Sequence, residues 1–274
     1  MRVSLVVLTK DNPQELKDTL SSICTQASIS RVSSPCSLEV VLVDGSLEPQ
    51  PQEFFECFEL DNIKLVYLRD FPPQGIYPGM NVGLSASTGD WVLFLNSGDL
   101  FFDVSSLRRL LQCCFDFHNR FGSQASVVFG QALICPSHSS SCKPWLVPDP
   151  AVHSMRRWLR IYYPNHQSLL VNGSWARAHP FQTDSPQSAD RVWMRAALSD
   201  PQRVAYLAEP VVRFSLGGVS SGLPDWPTLK VRLREPTRTW GEKLSEVIKF
   251  ALRPWAGHYP RLMALRSNLI GRLV

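Results

Sequence analysis

Two acidic turns carry the residues best suited to chemistry. Asp44, in Val43-Asp44-Gly45-Ser46, and Asp99, in Asn96-Ser97-Gly98-Asp99, each follow an uninterrupted apolar run. The runs Glu39–Val43 and Trp91–Leu95 are too short for core helices and read as buried strands. Both carboxylates therefore stand at the carboxyl ends of strands, where open α/β sheets place their ligands. There a carboxylate can accept from a base imide or a ribose hydroxyl, or hold a metal or a diphosphate-bound metal. Asp and Asn also favour such turns for backbone reasons alone.

The elements that must position these turns follow from the pattern around them. Val3–Thr9 reads as a buried strand, and a helix follows it with Asn12 as N-cap, Pro13 in the first turn and Glu15 three residues after the cap. Leu16, Leu20 and Ile23 give that helix one apolar face. With the strand at 39–43 this makes a β-α-β unit, hence a parallel pair with a right-handed crossover. Lys64–Leu68 supplies a third strand, and the glycine-punctuated stretch from Gly75 to Ser87 leads through a short helix into Trp91–Leu95. After Asp99 a helix capped by Asp103 carries Leu107, Leu110, Leu111 and Cys114 on one side, and Ser126–Ile134 reads as another strand. The fold class is α/β.

Several function classes are disfavoured. Thr9-Lys10-Asp11-Asn12 stands where a dinucleotide-binding protein needs G-x-G-x-x-G, and there is no Walker A loop, H-E-x-x-H, C-x-x-C or nucleic-acid reader motif. Cys135, His138 and Cys142 have a metal-like spacing but lack the fourth ligand that structural zinc needs. The seven cysteines, odd in number and irregular in spacing, fit unpaired thiols in a reducing compartment, which makes the sequon at Asn172 meaningless. No apolar run reaches the roughly 18 residues of a membrane span, and the apolar start at Val3–Leu8 lacks a signal-peptide cleavage site. The location implied is cytoplasmic.

The stretch Gly75–Asp99 closely resembles the inverting family-2 glycosyltransferases of the GT-A fold, in particular a bacterial exopolysaccharide and lipopolysaccharide branch of the colanic-acid type. The match lies in Gly75, Ile76, Tyr77, Met80, Asn81, Gly83, Ala86, Gly89, and Phe94 through Asp99. Pro78 replaces an acidic residue usual in the branch, and of the wider DxD signature only Asp99 keeps a carboxylate. The resemblance implies a mostly parallel central sheet flanked by helices, and transfer of a sugar from a nucleotide diphosphate donor, a UDP-sugar, to a glycan or lipid-linked acceptor in cell-surface polysaccharide synthesis. It further implies that Asp44, with Thr9 and Asp11, binds the nucleoside, that Tyr77, Asn81 and Asn96 line the donor site, and that Asp99 holds Mn or Mg. Pro164-Asn165-His166-Gln167 resembles the acceptor-side segment, so His166 and Gln167 fall there. Ser188-Ala189-Asp190-Arg191-Val192-Trp193-Met194-Arg195 resembles the acidic motif that carries the base, one residue shorter than its commonest form, which leaves Asp184 as a second candidate beside Asp190. Arg213 to Ser220 closes the likeness, which spans residues 1–221. The thinned signature leaves a noncatalytic nucleotide-sugar-binding or regulatory protein of the same fold as the alternative.

Residues 222–274 form a separate basic amphipathic tail. The chain has 274 residues, 44% of them hydrophobic, and a net charge of +4. Residues 230–274 hold ten basic and three acidic side chains, a net +7, which leaves −3 for the rest. Trp240, Leu244, Val247, Ile248 and Ala251 share one helical stripe beside Lys243, Lys249 and Arg253, and Pro254 ends that helix. A second segment offers Leu262, Leu265, Leu269, Ile270 and Leu273 with Arg266 and Arg272. Such material fits the surface of an anionic membrane better than nucleic acid. The expectation is a peripheral contact on the inner face of the plasma membrane through residues 238–274.

Overall fold

The computed structural model describes residues 1–26, 36–56, 58, 63–136, 142–183, 189–216, 226–234, 240–251 and 259–273. Asp184, His138, Arg253, Pro254 and the 217–220 end of the family-like stretch lie outside them. The strands are β1 (Arg2–Thr9), β2 (Ser37–Asp44), β3 (Lys64–Arg69), β4 (Trp91–Phe94), β5 (Leu100–Phe101), β6 (Val127–Cys135), β7 (Trp145–Val147), β8 (Leu169–Asn172) and β9 (Val204–Ser215). They join in one sheet ordered β3-β2-β1-β4-β8-β6-β9-β5, with β7 added on β6. The helices are α1 (Pro13–Cys24), α2 (Ile76–Ala86), α3 (Ser106–Phe121), α4 (Met155–Ile161), α5 (Gly173–Ala178), α6 (Ala189–Ala197), α7 (Trp226–Arg234), α8 (Trp240–Ala251) and α9 (Tyr259–Leu273).

The amino-terminal half is the parallel part. β1 pairs in parallel with β2 and β4, and β2 with β3, so Thr9, Asp44 and Arg69 end in register. Leu5, Val6, Val7, Val40, Val41 and Leu42 have no exposed surface, as strands covered on both faces require. Each such side chain contributes about 1.5–3 kcal/mol by leaving water. α1 buries Leu16, Leu20 and Ile23, the face its spacing predicts. Asn12, expected to cap it, makes no side-chain cap bond. Its amide oxygen instead accepts from the Thr9 and Ser97 hydroxyls, tying the ends of β1 and β4 together. On the sheet α2 sits so close that a Cβ on Gly83 would collide with Val6. Glycine there is a packing requirement, not a turn signal.

Beyond β4 the sheet changes character. β8 runs antiparallel to both β4 and β6, β7 antiparallel to β6, and β5 antiparallel to β9, while β6 and β9 are parallel. The expected mostly parallel sheet is therefore mixed: no β-α-β period marks residues 120–215, and their pairing is nonlocal. Cys24 is disulfide-bonded, whereas Cys36, Cys113, Cys114, Cys135 and Cys142 are free. The expectation of seven unpaired thiols is thus corrected, because cysteine spacing along a chain does not report spatial proximity. Among the described residues no helix is long and apolar enough to cross a membrane.

Candidate active site

The ends of β1 and β2 are closed by their own side chains. Asp44 is fully buried, and its carboxylate accepts from the Ser46 N–H at 2.9 Å, Gln50 at 3.3 Å, the Tyr67 hydroxyl at 2.6 Å and Arg69 at 2.8 Å. Burial raises its pKa, but the bonds from Tyr67, Ser46 and Gln50 outweigh that and hold it below the usual carboxylate range. As placed, Asp44 is saturated, and it organises Tyr67 and Arg69 instead of facing a ligand. Asp11, at φ 53°, receives the Leu47 N–H on its carboxylate, and its own N–H donates to Ser46 Oγ, so the two strand-end loops are pinned together. Thr9 is buried against Asn12. Asn81 does not reach this site either: its amide bonds both the N–H and the carbonyl of Phe181, 100 residues on.

At the end of β4 the turn Asn96-Ser97-Gly98-Asp99 is locked from below. Thr19 Oγ1 accepts from the Gly98 N–H and donates to the Asp99 carbonyl, and Ser215 donates to the Gly98 carbonyl. Gly98 has φ +94°, and an added Cβ would lie 3.1 Å from Glu15 Oε2, so the turn demands glycine there. The Asp99 carboxyl is 4% exposed and accepts from the Ser215 N–H and the Gln167 side chain. Burial pushes its pKa up to about 8 despite those bonds. Its oxygens are thus occupied by N–H donors, and no group of three His, Cys, Asp or Glu side chains among the described residues could hold a metal. As folded, the donor set does not fit the divalent ion expected at Asp99, because a hard cation needs several free oxygens.

A cavity of about 630 Å³ opens beside this turn, and Tyr77, Asn96, His166, Gln167 and Asp190 all line it. Asp190 stands in the first turn of α6, where the Tyr77 hydroxyl is hydrogen-bonded to it and the Arg191 N–H donates to its Oδ1 at 2.8 Å. Burial and the Asp190 charge raise the Tyr77 pKa, so the phenol stays protonated and acts as donor. His166 is stacked on Phe94 at 5.1 Å and meets the edges of Phe181 and Trp193. Burial lowers its pKa to about 4, opposed by Asp190, so the ring is neutral near pH 7. Two buried polar atoms have no protein partner here, Asn96 Oδ1 and His166 Nε2. Buried groups are nearly always bonded, and these two sit where a ligand would satisfy them.

Other walls of the cavity were not anticipated. Among the described residues Arg160, Arg191, Arg195, Lys249 and Arg266 contribute five cations against the one carboxylate of Asp190. Trp145, Tyr162, Tyr163 and Tyr259 supply aromatic faces. A signal existed in the basic and aromatic run Arg156 to Tyr163, which no motif search would single out.

The mixed sheet with its flanking helices and a cavity past the carboxyl end of β4 has the GT-A fold of nucleotide-sugar transferases. Comparison with known proteins agrees. Residues 4–114 match the family described as Glycosyl transferase family 2. The PGL/p-HBAD biosynthesis glycosyltransferases of Mycobacterium bovis and Mycobacterium tuberculosis are 34% identical over 73 residues, 26% of this chain and 28% of theirs. The matched part thus spans little more than a quarter of those relatives. Among solved structures, S. aureus TarS 1-349 superposes with a TM-score of 0.59 at 14% identity, covering 94% of this chain and 72% of that one. Its complex with UDP-GlcNAc gives 0.59 at 16% identity, covering 94% and 73%.

Proposed function

We propose that the protein is an inverting glycosyltransferase that moves a sugar from a UDP-sugar to a glycan or lipid-linked acceptor in cell-surface polysaccharide synthesis. The observation that carries this reading is Asp190, held by Tyr77 in a cavity that Asn96, at the end of β4, also lines. In direct displacement the acceptor oxygen bonds the anomeric carbon as the bond to the diphosphate oxygen breaks. The acceptor proton passes to the Asp190 carboxylate, and the electron pair leaves with the nucleoside diphosphate. Tyr77 fixes the carboxylate, Asn96 Oδ1 accepts from a donor hydroxyl, and the cations of the cavity favour the departing charge. His166, neutral, and Gln167 lie on the acceptor side.

The UDP-GlcNAc complex of TarS supports the donor class, and the Asn96–Asp99 stretch supports the exopolysaccharide branch. Asp184 is the alternative base. Asp44, with Thr9 and Asp11, forms the floor under the nucleoside and not its direct acceptor. No step is derived through a metal, for which Asp99 is badly placed. We further assign residues 1–221 to the catalytic domain, and to the tail, 238–274, a peripheral contact with an anionic membrane at the inner face.

The test is turnover of UDP-GlcNAc and UDP-glucose, followed as UDP release, by the parent and by Asp190→Asn. The parent is expected to release UDP. The variant is expected to keep its UDP affinity while kcat falls by about 10²–10⁴-fold, the share a positioned general base supplies. An undiminished rate in Asp190→Asn removes this carboxylate from the reaction, and the same measurement on Asp184→Asn then decides the alternative.

A further inference from the structure

Tyr77 and Asn81 stand one turn apart on α2 and so share a face of that helix. The face grips the chain twice. The Asn81 amide spans Phe181: its Oδ1 accepts from the Phe181 N–H at 2.8 Å, and its Nδ2 donates to the Phe181 carbonyl at 2.9 Å. The Tyr77 hydroxyl is hydrogen-bonded to Asp190, in the first turn of α6. One helix face therefore holds both ends of the stretch 181–190, whose last residue is the proposed base.

Phe181 lies outside every helix and strand, so no ladder supplies partners for its backbone. It is 3% exposed, and a buried backbone N–H and carbonyl need partners. A carboxamide offers one acceptor and one donor side by side, which is what the two backbone groups of a single residue require. The ring so placed touches most of the site. It stacks on Tyr77 at 5.7 Å and on Trp193 of α6 at 4.9 Å, and it meets Phe94 and His166 edge-on at 5.2 and 5.6 Å. Trp193 is itself fixed, its indole N–H donating to the His179 carbonyl at 2.7 Å. A shift of the Phe181 backbone would thus move Tyr77 and α6, the two elements that place the Asp190 carboxylate.

We infer that Asn81 is a positioning residue for the proposed transfer: it fixes Phe181, and through the Phe181 ring and Tyr77 it sets where the Asp190 carboxylate stands in the cavity. This rests on reading Asp190 as the base, so one test is made without turnover. His166 packs on the same ring and reports on it. Burial holds its pKa at about 4, and water admitted by a displaced Phe181 would raise it toward its ordinary value. The histidine ring protons are followed by NMR against pH, with the His166 signal identified by its loss in His166→Leu. In Asn81→Ala the His166 pKa is expected to rise by about one unit or more. An unmoved His166 overturns the inference, because Phe181 then keeps its place without Asn81.

The second test is a double-mutant cycle on UDP release. Asn81→Ala is expected to keep the UDP affinity of the parent within about 2-fold while kcat falls by up to about 100-fold, the cost of a small misplacement of a reacting group. Made in the Asp190→Asn background, the same change is expected to cost less than about 2-fold, since a residue that acts through another adds nothing once that one is gone. Equal losses in the two backgrounds overturn the inference and leave the transferase standing. If Asn81→Ala does not fold, Asn81→Asp carries both measurements: it keeps the acceptor for the Phe181 N–H, loses the donor to the carbonyl, and is expected to shift both in the same directions by less. A parent that releases no UDP while His166 shifts in the variant would remove the transferase reading and leave Asn81 as the residue that fixes Phe181.

Discussion

The end of β2 and the end of β4 hold similar residues in opposite states. At β2 the Asp44 carboxylate collects four donors, and deeper in the same strand Glu39 is bonded by Ser4, Thr88 and Lys64. Burial pulls the Glu39 pKa upward, yet those bonds bring it down to about 2. At β4 the burial is as deep but the compensation fails: Asp99 rises to about 8, and Asn96 Oδ1 and His166 Nε2 have no partner. Gln50 Oε1 is the one side-chain atom of that kind beside Asp44 among the described residues. A region that satisfies its polar groups gains stability, whereas one that leaves them wanting gives up stability for a site that a ligand completes. β2 therefore serves as scaffold, and β4 as the side where chemistry is expected.

The sharpest way to break this contrast is to remove the centre of the saturated network. Asp44→Ala strands the Tyr67 hydroxyl and the Arg69 guanidinium, and losing one partner of a buried pair costs about 3–5 kcal/mol. Arg69 keeps 31% of its side-chain surface exposed and can turn to water, so the lower end of that range is expected. Urea unfolding reads the loss directly. A change under about 1 kcal/mol would mean that the network is ornamental and that Asp44 is held for a ligand after all.

How far this contrast could be read from the sequence depends on what carries it. Continuous apolar runs betray β1, β2 and β4, and the turns that follow them betray Asp44 and Asp99 as strand-end carboxylates. Whether such a carboxylate is satisfied is decided by residues far along the chain: Tyr67 and Arg69 come to Asp44 from β3, and Gln167 and Ser215 come to Asp99 across 68 and 116 positions. Asn81 is spent on Phe181 by the same kind of long-range closure. The helical stripe of α8 was legible from its periodicity, which says that a face exists and not what lies against it. The disulfide at Cys24 is hidden for a like reason.

A second prediction uses pH to sharpen the comparison. The native state keeps the Asp99 proton up to about pH 8, whereas an unfolded aspartate releases it near pH 4. Between those values the native state binds more protons, so this group makes stability fall as pH rises, by at most about 1.4 kcal/mol per pH unit. Glu39 works the other way, its contribution being present above about 4.5 and lost as pH falls toward 2. The stability of Asp99→Asn minus that of the parent should therefore increase by about 2 kcal/mol between pH 5.5 and 7.5. Parallel curves over that interval would show that Asp99 is ionised in the folded protein, and would restore it as a charged ligand for a cation.

The smallest effect on stability is expected at His166, and there the contrast becomes most specific. Its ring packs against Phe94, Phe181 and Trp193 and stays neutral, yet its Nε2 bonds nothing in the protein. Replacing it by leucine gives up aromatic contacts worth about 0.5–1.5 kcal/mol. The same change removes an unpaired buried polar atom, whose desolvation costs about 1–3 kcal/mol. The two nearly cancel, so His166→Leu should melt within a few degrees of the parent, in either direction. On the proposed reading, in which a bound acceptor is the partner of Nε2, sugar transfer should respond differently, since losing one such bond lowers kcat/KM by about 10-fold or more. A variant that unfolds early but transfers normally would place His166 with Asp44, as part of the scaffold. A variant that melts like the parent and transfers poorly would mark the unsatisfied nitrogen as a contact kept for the acceptor.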